Sequence, residues 1–343
     1  MTRIPNRACE DAAAEEDEWS FFNAADSVVE GRGWSDVGRT FSRLPLRAKE
    51  TVRERVWNLA QHSAGLHVSF KTSATRLRFE VDLLQSQLYM PHMPSTGVSG
   101  VDLYARDEVG AWRWVFAAQP GQQNYRATVS GLASGAREYR LYLPLYNGVE
   151  ALRIGVPKGD SLEPAEASRQ DPLVYYGTSI AQGACASRPG MAFVSQLGRR
   201  LDVPVINLGF SGNGRLEPEL GDLIAEIDAC AYVVDCLPNL APTQTAERAL
   251  PFFRGLRAQR PETPIVMVED RTNTNAPWLP ARALRHRENH AALRAAYDTL
   301  IAEEAKGFTY VADAPFLGED GEGTVDGSHP TDLGMMRYAD ALE

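Results

Sequence analysis

The chain has 343 residues, of which 44% are apolar and 23% are charged, and this composition is typical of a globular protein. It excludes a disordered or fibrous chain. The formal net charge of −10 argues against a protein that coats nucleic acid or binds an anionic membrane. The length fits one large or two ordinary domains.

Residues 1–18 form an acidic, Ala-rich tail without the apolar segment of a secretory signal. We therefore expect a cytoplasmic protein, or a secreted or periplasmic one if a signal sequence was removed. No apolar run approaches the ~18 residues that a membrane-spanning helix needs. The cysteines form no CxxC pair and predict neither a disulfide framework nor a zinc site. Of the four, Cys9, Cys185, Cys230 and Cys236, the last two flank an apolar run and are predicted to be buried free thiols.

Residues 19–156 contain short runs in which apolar and polar residues alternate, separated by Gly, Pro and Asn. This period of two indicates antiparallel strands with one solvated face. The predicted strands are Leu66–Thr72, Arg76–Asp82, Gly100–Tyr104, Trp112–Phe116, Arg137–Leu143 and Ala151–Val156. We expect an all-β sandwich of the jelly-roll type, followed by a linker over 157–172 that is rich in Pro, Gly, Ser and acidic residues.

From residue 173 to residue 343, near-continuous apolar strands alternate with helical segments, which predicts an α/β domain with a parallel sheet covered on both faces. The predicted strands are Leu173–Tyr176, Val203–Leu208, Ala231–Cys236, Pro264–Glu269 and Phe308–Val311. The predicted helices are Ala192–Leu201, Glu217–Ile227, Thr243–Arg260, Ala281–Ala305 and Thr331–Leu342. Ligands bind at the carboxyl ends of the strands in such sheets, so the residues that follow each strand are the first candidates for chemistry.

Candidate residues follow the first three of these strands. Ser179 lies in GTSIAQG at a strand-to-helix turn, although Ala181 replaces the second glycine of a G-x-S-x-G elbow. Gly212 lies in NLGFSGNG, whose glycines free backbone N–H groups to face a ligand. Asn239 follows a proline and offers a neutral amide donor. Each residue also has an ordinary explanation, as a helix cap, a flexible loop and a turn former respectively.

Near the C-terminus, the segment DGSHP places Asp326 three residues before His329. A carboxylate on so tight a loop can bond the imidazole Nδ1 and leave Nε2 free to act as a base. A single histidine in a loop is more often a surface residue. All four segments, however, lie at strand ends of one sheet, in the order Ser, Gly, Asn and Asp-x-x-His. This combination predicts a serine nucleophile together with its base and its oxyanion donors.

The four segments resemble those of the SGNH hydrolases, also called the GDSL-type lipase/acylhydrolase superfamily. The resemblance covers Leu173 to Leu342 and implies a three-layer, flavodoxin-like fold. It also implies a catalytic triad and three oxyanion donors: Ser179, Asp326 and His329 for the triad, and Ser179, Gly212 and Asn239 for the oxyanion hole. The sequence departs from the family at Thr178, where the family name has Asp, and at Leu240, where many relatives have Asp.

The segment Gly100-Val-Asp-Leu-Tyr104 resembles the GxDLY motif of a β-sandwich domain that precedes a GDSL-like domain in one bacterial subfamily. The resemblance implies a serine esterase that removes small acyl groups such as acetyl from a carbohydrate-like or other small alcohol. Two alternatives stay open. The same acyl-enzyme could transfer its acyl group to an acceptor other than water, or the protein could be an inactive glycan-binding module. A homo-oligomer is compatible with the sequence.

Two residues near the predicted catalytic edge are candidates for substrate binding. Arg188 lies just beyond the nucleophile turn and could bind substrate or a carboxylate of the protein itself. Trp278 lies in the loop after the fourth strand of the parallel sheet, where it could cover an acyl or sugar pocket or could pack against the protein.

Two further pairs of residues favour structural roles. Trp112 and Trp114 share one strand face, and we expect them in the core rather than stacked on a sugar. His286 and His290 lie four residues apart on a predicted helix, among several arginines and without further evident zinc ligands. We expect them on a solvated helix face, and we expect no metal and no cofactor.

Overall fold

The computed structural model describes residues 18–312 and 315–343, so the predicted acidic tail and Cys9 lie outside the described residues, apart from Glu18. The N-terminal region forms β1 (Trp19–Asn23), β2 (Val29–Glu30), β3 (His67–Thr72), β4 (Arg76–Leu83), β5 (Asp102–Arg106), β6 (Trp112–Ala117), β7 (Asn124–Ser130), β8 (Arg137–Tyr142), β9 (Val149–Pro157) and β10 (Leu162–Pro164). It also contains the short helices α1 (Glu54–Ala60) and α2 (Ser95–Val98).

The strands of the N-terminal region form two antiparallel sheets. One sheet has the order β1-β9-β4-β7, and the other has the order β10-β3-β8-β5-β6 with β2 beside β3. Alternate side chains such as Phe70, Phe79 and Ile154 enter a shared apolar core between the sheets. The sequence prediction of antiparallel β sheets in this region is therefore confirmed, because alternation places one face of each strand in that core.

Four of these strands were not predicted from the sequence. Strands β1, β2 and β10 are short, and every second residue of β7 is exposed. The three residues Leu162–Pro164 of β10 lie inside the segment predicted as a linker, yet they pair with β3. Strands β2 and β10, with two and three residues, carry too few residues for a period of two to be recognised.

The C-terminal region contains five parallel strands: β11 (Leu173–Gly177), β12 (Val205–Gly209), β13 (Ala231–Asp235), β14 (Ile265–Val268) and β15 (Phe308–Val311). Their order, β12-β11-β13-β14-β15, is the flavodoxin-like order, which confirms the predicted fold class. The accompanying helices are α3 (Ser179–Gln182), α4 (Phe193–Arg200), α5 (Pro218–Ala225), α6 (Pro242–Gln259), α7 (Pro280–Ala302) and α8 (Asp332–Leu342). None of the helices described is long and apolar enough to cross a membrane.

The two regions share their apolar cores. On one face of the parallel sheet, Val56 and Ala60 of α1 belong to the same cluster as Leu208 of β12. On the other face, Val98 and Leu145 from the N-terminal region join the cluster that contains Tyr175 of β11. Residues of the β region therefore complete both faces of the α/β core.

Candidate active site

Ser179 lies at the sharp turn between the first parallel strand and a short helix. Strand β11 ends at Gly177, and the side chain of Thr178 caps helix α3 by accepting a hydrogen bond from the N–H of Ile180. The helix ends at Gln182 and is followed by Gly183, whose φ of +108° favours glycine. Ser179 is buried, with 8% of its surface exposed. The turn therefore fixes the serine at the carboxyl edge of the sheet.

The structure brings Ser179, His329 and Asp326 together. The Oγ atom of Ser179 lies 2.9 Å from Nε2 of His329, and Nδ1 of His329 lies 2.7 Å from Oδ2 of Asp326. The second carboxylate oxygen accepts hydrogen bonds from the backbone N–H groups of Ser328 and His329, at 2.9 and 2.8 Å. With the carboxylate as acceptor, Nδ1 carries the proton and Nε2 accepts the proton of the serine hydroxyl.

The charge of Asp326 is stabilised by this loop. Burial alone would raise the pKa of the carboxyl group, but the hydrogen bonds from the backbone and ring of His329 and from the backbone of Ser328 lower the pKa to about 2. The carboxylate is therefore ionised at neutral pH. It can hold the imidazole tautomer and stabilise the imidazolium that forms when His329 takes a proton.

The loop that contains Gly212 lies against the nucleophile turn. The N–H of Phe210 donates to the carbonyl oxygen of Gly177 at 3.0 Å, and the N–H of Ser211 donates to the side chain of Gln182 at 3.0 Å. Gly212 adopts a φ of +67°, which favours glycine. Its backbone N–H is thereby held on a loop that touches both ends of the nucleophile turn, as an oxyanion donor would need to be.

Asn239 also lies beside this loop. Its Nδ2 donates to the carbonyl oxygen of Gly214 at 3.3 Å. Arg285 of α7 donates to the carbonyl oxygens of Pro238 and Leu240, at 2.9 and 2.7 Å, and so fixes the backbone on both sides of Asn239. Leu240 itself is buried in the core, which explains why this chain tolerates an apolar residue there. The three oxyanion donors predicted from the sequence thus come from adjacent segments.

The buried side chain of Arg43 supports the start of the loop that contains Gly212, and the sequence analysis did not identify this residue. The guanidinium of Arg43 donates to the carbonyl oxygens of Asn207 and Gly209 at the end of β12, and to those of Leu59 and His62. Burial lowers the pKa of Arg43 to about 9, so the group remains charged at neutral pH. These hydrogen bonds all go to backbone atoms distant in sequence, which is why the sequence does not reveal the role of Arg43.

Arg188 contacts a carboxylate of the protein, one of the two alternatives left open by the sequence. Its Nη1 lies 2.8 Å from Oδ2 of Asp102 and 2.6 Å from the hydroxyl of Tyr104. Asp102 is fully buried and also accepts hydrogen bonds from the N–H of Gly190 and from Nε1 of Trp114. Asp102 and Tyr104 are the Asp and Tyr of the GxDLY segment. That segment therefore joins the β region to the loop behind the nucleophile.

The exposure of several aromatic residues differs from what the sequence suggested. Trp112 is buried as expected, but 53% of the surface of Trp114 is exposed, because only its indole N–H turns inward to Asp102. Trp278 is 84% exposed in the loop after β14, so it does not pack in the core. His92, which the sequence analysis did not single out, comes from the β region and lies 5.8 Å from the ring of His329.

The expected solvated face for His286 and His290 is wrong. His286 is 2% exposed, and its Nδ1 lies 2.9 Å from a carboxylate oxygen of Asp270. The expectation failed because the arginines beside these histidines suggested a solvated face, whereas helix α7 turns them towards the end of β14. The thiol prediction was correct for Cys236, which is buried, but not for Cys230, which is exposed.

Two groups of side chains in the described residues have donor atoms close enough to hold a metal ion. The first contains His92, Cys185 and His329, but burial and the charge of Asp326 raise the pKa of the Cys185 thiol to about 12, which disfavours the thiolate a metal requires. The second contains Asp270, His286 and His290. There a guanidinium nitrogen of Arg271 already lies 3.1 Å from the carboxylate, so the cluster has its own cation.

Both regions of the chain are similar to known proteins. A model of the "GDSL-like Lipase/Acylhydrolase family" matches residues 170–343, and a model described as "N-terminus of Esterase_SGNH_hydro-type" matches residues 19–162. No match was found among curated proteins. A solved structure described as a GDSL-like lipase from Bacteroides ovatus is 31% identical, with a TM-score of 0.91 over 94% of this chain and 96% of its own.

Two less similar structures share the fold. The salicylyl-acyltransferase SsfX3 from a tetracycline biosynthetic pathway is 16% identical, with a TM-score of 0.73 over 96% of this chain and 94% of its own. A family two carbohydrate esterase from Cellvibrio japonicus is 14% identical, with a TM-score of 0.60 over 94% of this chain and 96% of its own. Both matches extend over the β region as well as the α/β region.

Proposed function

Because the chain belongs to the GDSL-like lipase/acylhydrolase family and is an esterase, we propose that it cleaves short acyl esters, acetyl esters above all, on carbohydrate-like alcohols. The observation that carries this proposal is the continuous chain of contacts from Ser179 through His329 to Asp326, with distances of 2.9 and 2.7 Å. Such a chain activates a hydroxyl that is otherwise a weak nucleophile.

The reaction proceeds in two halves through an acyl-enzyme. Ser179 Oγ attacks the ester carbonyl while His329 takes its proton, and the resulting oxyanion is bound by the backbone N–H groups of Ser179 and Gly212 and the amide of Asn239. His329 then returns the proton to the departing alcohol. In the second half a water molecule gives a proton to His329 and its hydroxyl to the acyl carbon. The bond between the acyl carbon and Ser179 Oγ then breaks, and His329 returns the proton to Oγ, which releases the carboxylic acid and restores the serine.

Two features support a small acyl group on a sugar-like alcohol. The fold is shared with the carbohydrate esterase from Cellvibrio japonicus and, at a TM-score of 0.50 and 11% identity, with an acetyl xylan esterase from Butyrivibrio proteoclasticus. An exposed aromatic side chain, Trp278, lies on the loop that also contacts the Asp326–His329 segment through Thr274. Exposed aromatic rings offer the apolar faces on which sugar rings stack.

The test compares p-nitrophenyl acetate, butyrate and octanoate as substrates of the wild type and of Ser179→Ala. We expect acetate to be hydrolysed fastest and all activity to disappear in the variant. Acetate release from acetylated xylo-oligosaccharides, measured against the same sugars after chemical deacetylation, then tests the alcohol. Activity that survives Ser179→Ala would refute the assigned nucleophile, and preference for octanoate would refute the short acyl group.

Acyl transfer is the second candidate, because the acyltransferase SsfX3 matches 96% of the chain with a higher TM-score, 0.73, than the carbohydrate esterase. The two functions share the acyl-enzyme and differ in what attacks it. Adding a series of alcohols during turnover of p-nitrophenyl acetate distinguishes them. A hydrolase yields mainly free acetate, whereas a transferase yields the acetylated alcohol in proportion to the acceptor.

A further inference from the structure

The loop that contains Asp326 and His329 is partly exposed, and a neighbouring segment of the chain supports it. The side chains of Asp326 and His329 are 44% and 25% exposed. The segment 270–275, which follows strand β14, lies alongside. The N–H of Thr274 donates to the carbonyl oxygen of Gly327 at 3.0 Å, and the hydroxyls of Thr274 and Thr324 lie 2.8 Å apart.

Arg271 makes the most direct contact with this loop. Its Nε donates to the backbone carbonyl of Ser328 at 3.3 Å, and its Nη2 donates to the hydroxyl of the same residue. The guanidinium therefore binds Ser328, which lies between the carboxylate of Asp326 and the imidazole of His329 in the chain. Only 2% of the surface of Arg271 is exposed.

The guanidinium is itself oriented by a buried cluster. Its Nη1 lies 3.1 Å from Oδ2 of Asp270, whose other oxygen lies 2.9 Å from Nδ1 of His286. Nε2 of His286 lies 3.0 Å from the side-chain oxygen of Asn273. Asp270 is fully buried. Burial alone would raise the pKa of this carboxyl group, but the charge of Arg271 and the close approach of His286 and His290 lower the pKa overall, so the carboxylate is present to hold the arginine.

We propose that Arg271 is a positioning residue for the esterase reaction, which holds His329 at hydrogen-bonding distance from both Ser179 and Asp326 by fixing Ser328, and that buried Asp270 and His286 set the direction of its guanidinium. The proposal rests on the triad proposed above. In this proposal Asp270, His286 and His290 support the loop of Asp326 and His329 through an ion pair with Arg271 and do not form a metal site.

The chemistry of the contact explains why an arginine is needed. A planar guanidinium presents donors in a fixed fork, so it can contact Asp270 with one edge and Ser328 with the other. A lysine ammonium carries the same charge but is a single point on a flexible stem. It can satisfy the carboxylate of Asp270 and yet fail to fix Ser328. Charge and position can therefore be separated by substitution.

The first experiment compares Arg271→Lys with Ser328→Ala and the wild type. Arg271→Lys keeps the positive charge beside Asp270 but loses the contacts to Ser328, so we expect a folded protein whose melting temperature falls by only a few degrees. We expect kcat for p-nitrophenyl acetate to fall about tenfold or more with KM nearly unchanged, because small displacements of a catalytic group reduce its rate steeply. Ser328→Ala removes the hydroxyl contact but keeps the carbonyl contact, so its loss should be smaller. Wild-type kcat in Arg271→Lys would overturn the proposal.

The second experiment separates support of the catalytic loop from simple neutralisation of Asp270. The double variant Asp270→Asn, Arg271→Met removes both buried charges together, and we expect it to fold. If the arginine only neutralised the aspartate, the double variant would have the kcat of the wild type. We expect instead that its kcat, and the rate at which a fluorophosphonate labels its Ser179, are about 10²-fold below the wild-type values. Arg271→Lys should be more active than the double variant.

Two controls make the outcomes distinct. If the wild type hydrolyses no ester, or if Ser179→Ala keeps the activity, the proposed function fails and not only the role of Arg271. If the wild type is active through Ser179 but both arginine variants match it, the positioning role alone fails. Stoichiometric zinc in the wild type that is lost in His290→Ala would also overturn the proposal, because Asp270 would then bind a cation instead of Arg271.

Discussion

The proposed nucleophile and its proposed base lie on two segments that the fold holds in different ways. Ser179 is 8% exposed and is held by close packing between β11, α3 and the glycine loop after β12. The Asp326 and His329 side chains are 44% and 25% exposed, and polar contacts from the 270–275 segment reach their loop from outside. Substitutions near the serine should therefore damage the fold, whereas substitutions near the histidine should damage catalysis while the fold survives.

The largest effect is expected on the packed side, at Gly214. A Cβ atom there would lie 2.0 Å from the carbonyl oxygen of Gly177, at the start of the nucleophile turn. We expect Gly214→Ala to be insoluble or to lose at least about 3 kcal/mol of unfolding free energy, because backbone cannot yield to overpacking as a side chain can. Chemical denaturation measures the loss.

Gly212→Ala is the matched control in the same loop. Gly212 has a φ of +67°, but no atom lies within 4 Å of a Cβ added there. We expect the free energy of unfolding to fall by only about 1–2 kcal/mol, the cost of placing an alanine in the left-handed backbone conformation. Equal destabilisation by the two substitutions would show that the loop is not packed against the nucleophile turn as described.

On the exposed side, Asp326→Asn should leave the fold intact and abolish most catalysis. The amide cannot hold the imidazole in the required tautomer, and we expect kcat to fall by about 10⁴ with little change in melting temperature. The low pKa of Asp326, about 2, sets the sign of the pH dependence. The carboxylate is present above that pH and is lost only as the pH falls through it. Protonation of Asp326 should therefore not reduce wild-type activity between pH 5 and 8. A carboxyl group with an ordinary pKa would also be ionised over this range.

Asn239→Ala should produce an intermediate loss. Removing one oxyanion donor typically costs about 10²–10³ in kcat. The variant should fold, because Arg285 holds the carbonyl oxygens of Pro238 and Leu240 and these contacts do not involve the side chain of Asn239. Steady-state kinetics with p-nitrophenyl acetate measure the loss. Near-normal turnover in a folded variant would remove Asn239 from the oxyanion hole.

The last prediction concerns the pH dependence of stability through Asp235, a buried carboxyl group at the end of β13. Its carboxyl group accepts hydrogen bonds from Tyr175 of β11 and Tyr338 of α8, at 3.0 and 2.7 Å. Burial raises its pKa from 3.8 to about 6, although the two hydroxyl bonds act in the opposite direction. Between these pH values the folded protein keeps a proton that the unfolded chain has released. This contribution to stability is therefore largest at low pH, decreases as the pH rises from about 4 to about 6, and is constant above.

Asp235→Asn should remove this dependence. Relative to the wild type, we expect the variant to gain on the order of 3 kcal/mol between pH 4 and pH 7, since one pKa unit corresponds to about 1.4 kcal/mol. Urea unfolding of both proteins at the two pH values measures the difference. A difference in stability that stays constant with pH would contradict the raised pKa of Asp235.

The sequence predicted the parallel sheet more completely than the antiparallel sheets, for a physical reason. All five residues of β11 and of β12 are buried, so each is visible as an apolar run. Strand β7 has alternating exposed positions and only one fully buried residue, and β10 has three residues. Such strands are held by pairing with neighbours that are distant in sequence, and local composition does not record that pairing.

The candidate site shows the same division. Ser179, Asn239 and His329 were recognised because they follow the elements of one parallel sheet, whose carboxyl ends share an edge. The sequence did not reveal the roles of Arg43 and Arg271, or that Asp102 is the partner of Arg188. Each of these acts through contacts between segments that are far apart in the chain. His286 was misjudged for that reason, since only the packing of α7 against the end of β14 shows that it faces Asp270.

The central claim is that Ser179 is a nucleophile activated by His329 and Asp326. The most direct measurement is to treat the wild type, Ser179→Ala and Asp326→Asn with a fluorophosphonate and to locate the adduct by peptide mass spectrometry. We predict one adduct, on Ser179, that forms rapidly in the wild type, slowly in Asp326→Asn and not at all in Ser179→Ala. An adduct on another residue, or an unreactive Ser179 in the folded wild type, would contradict the account.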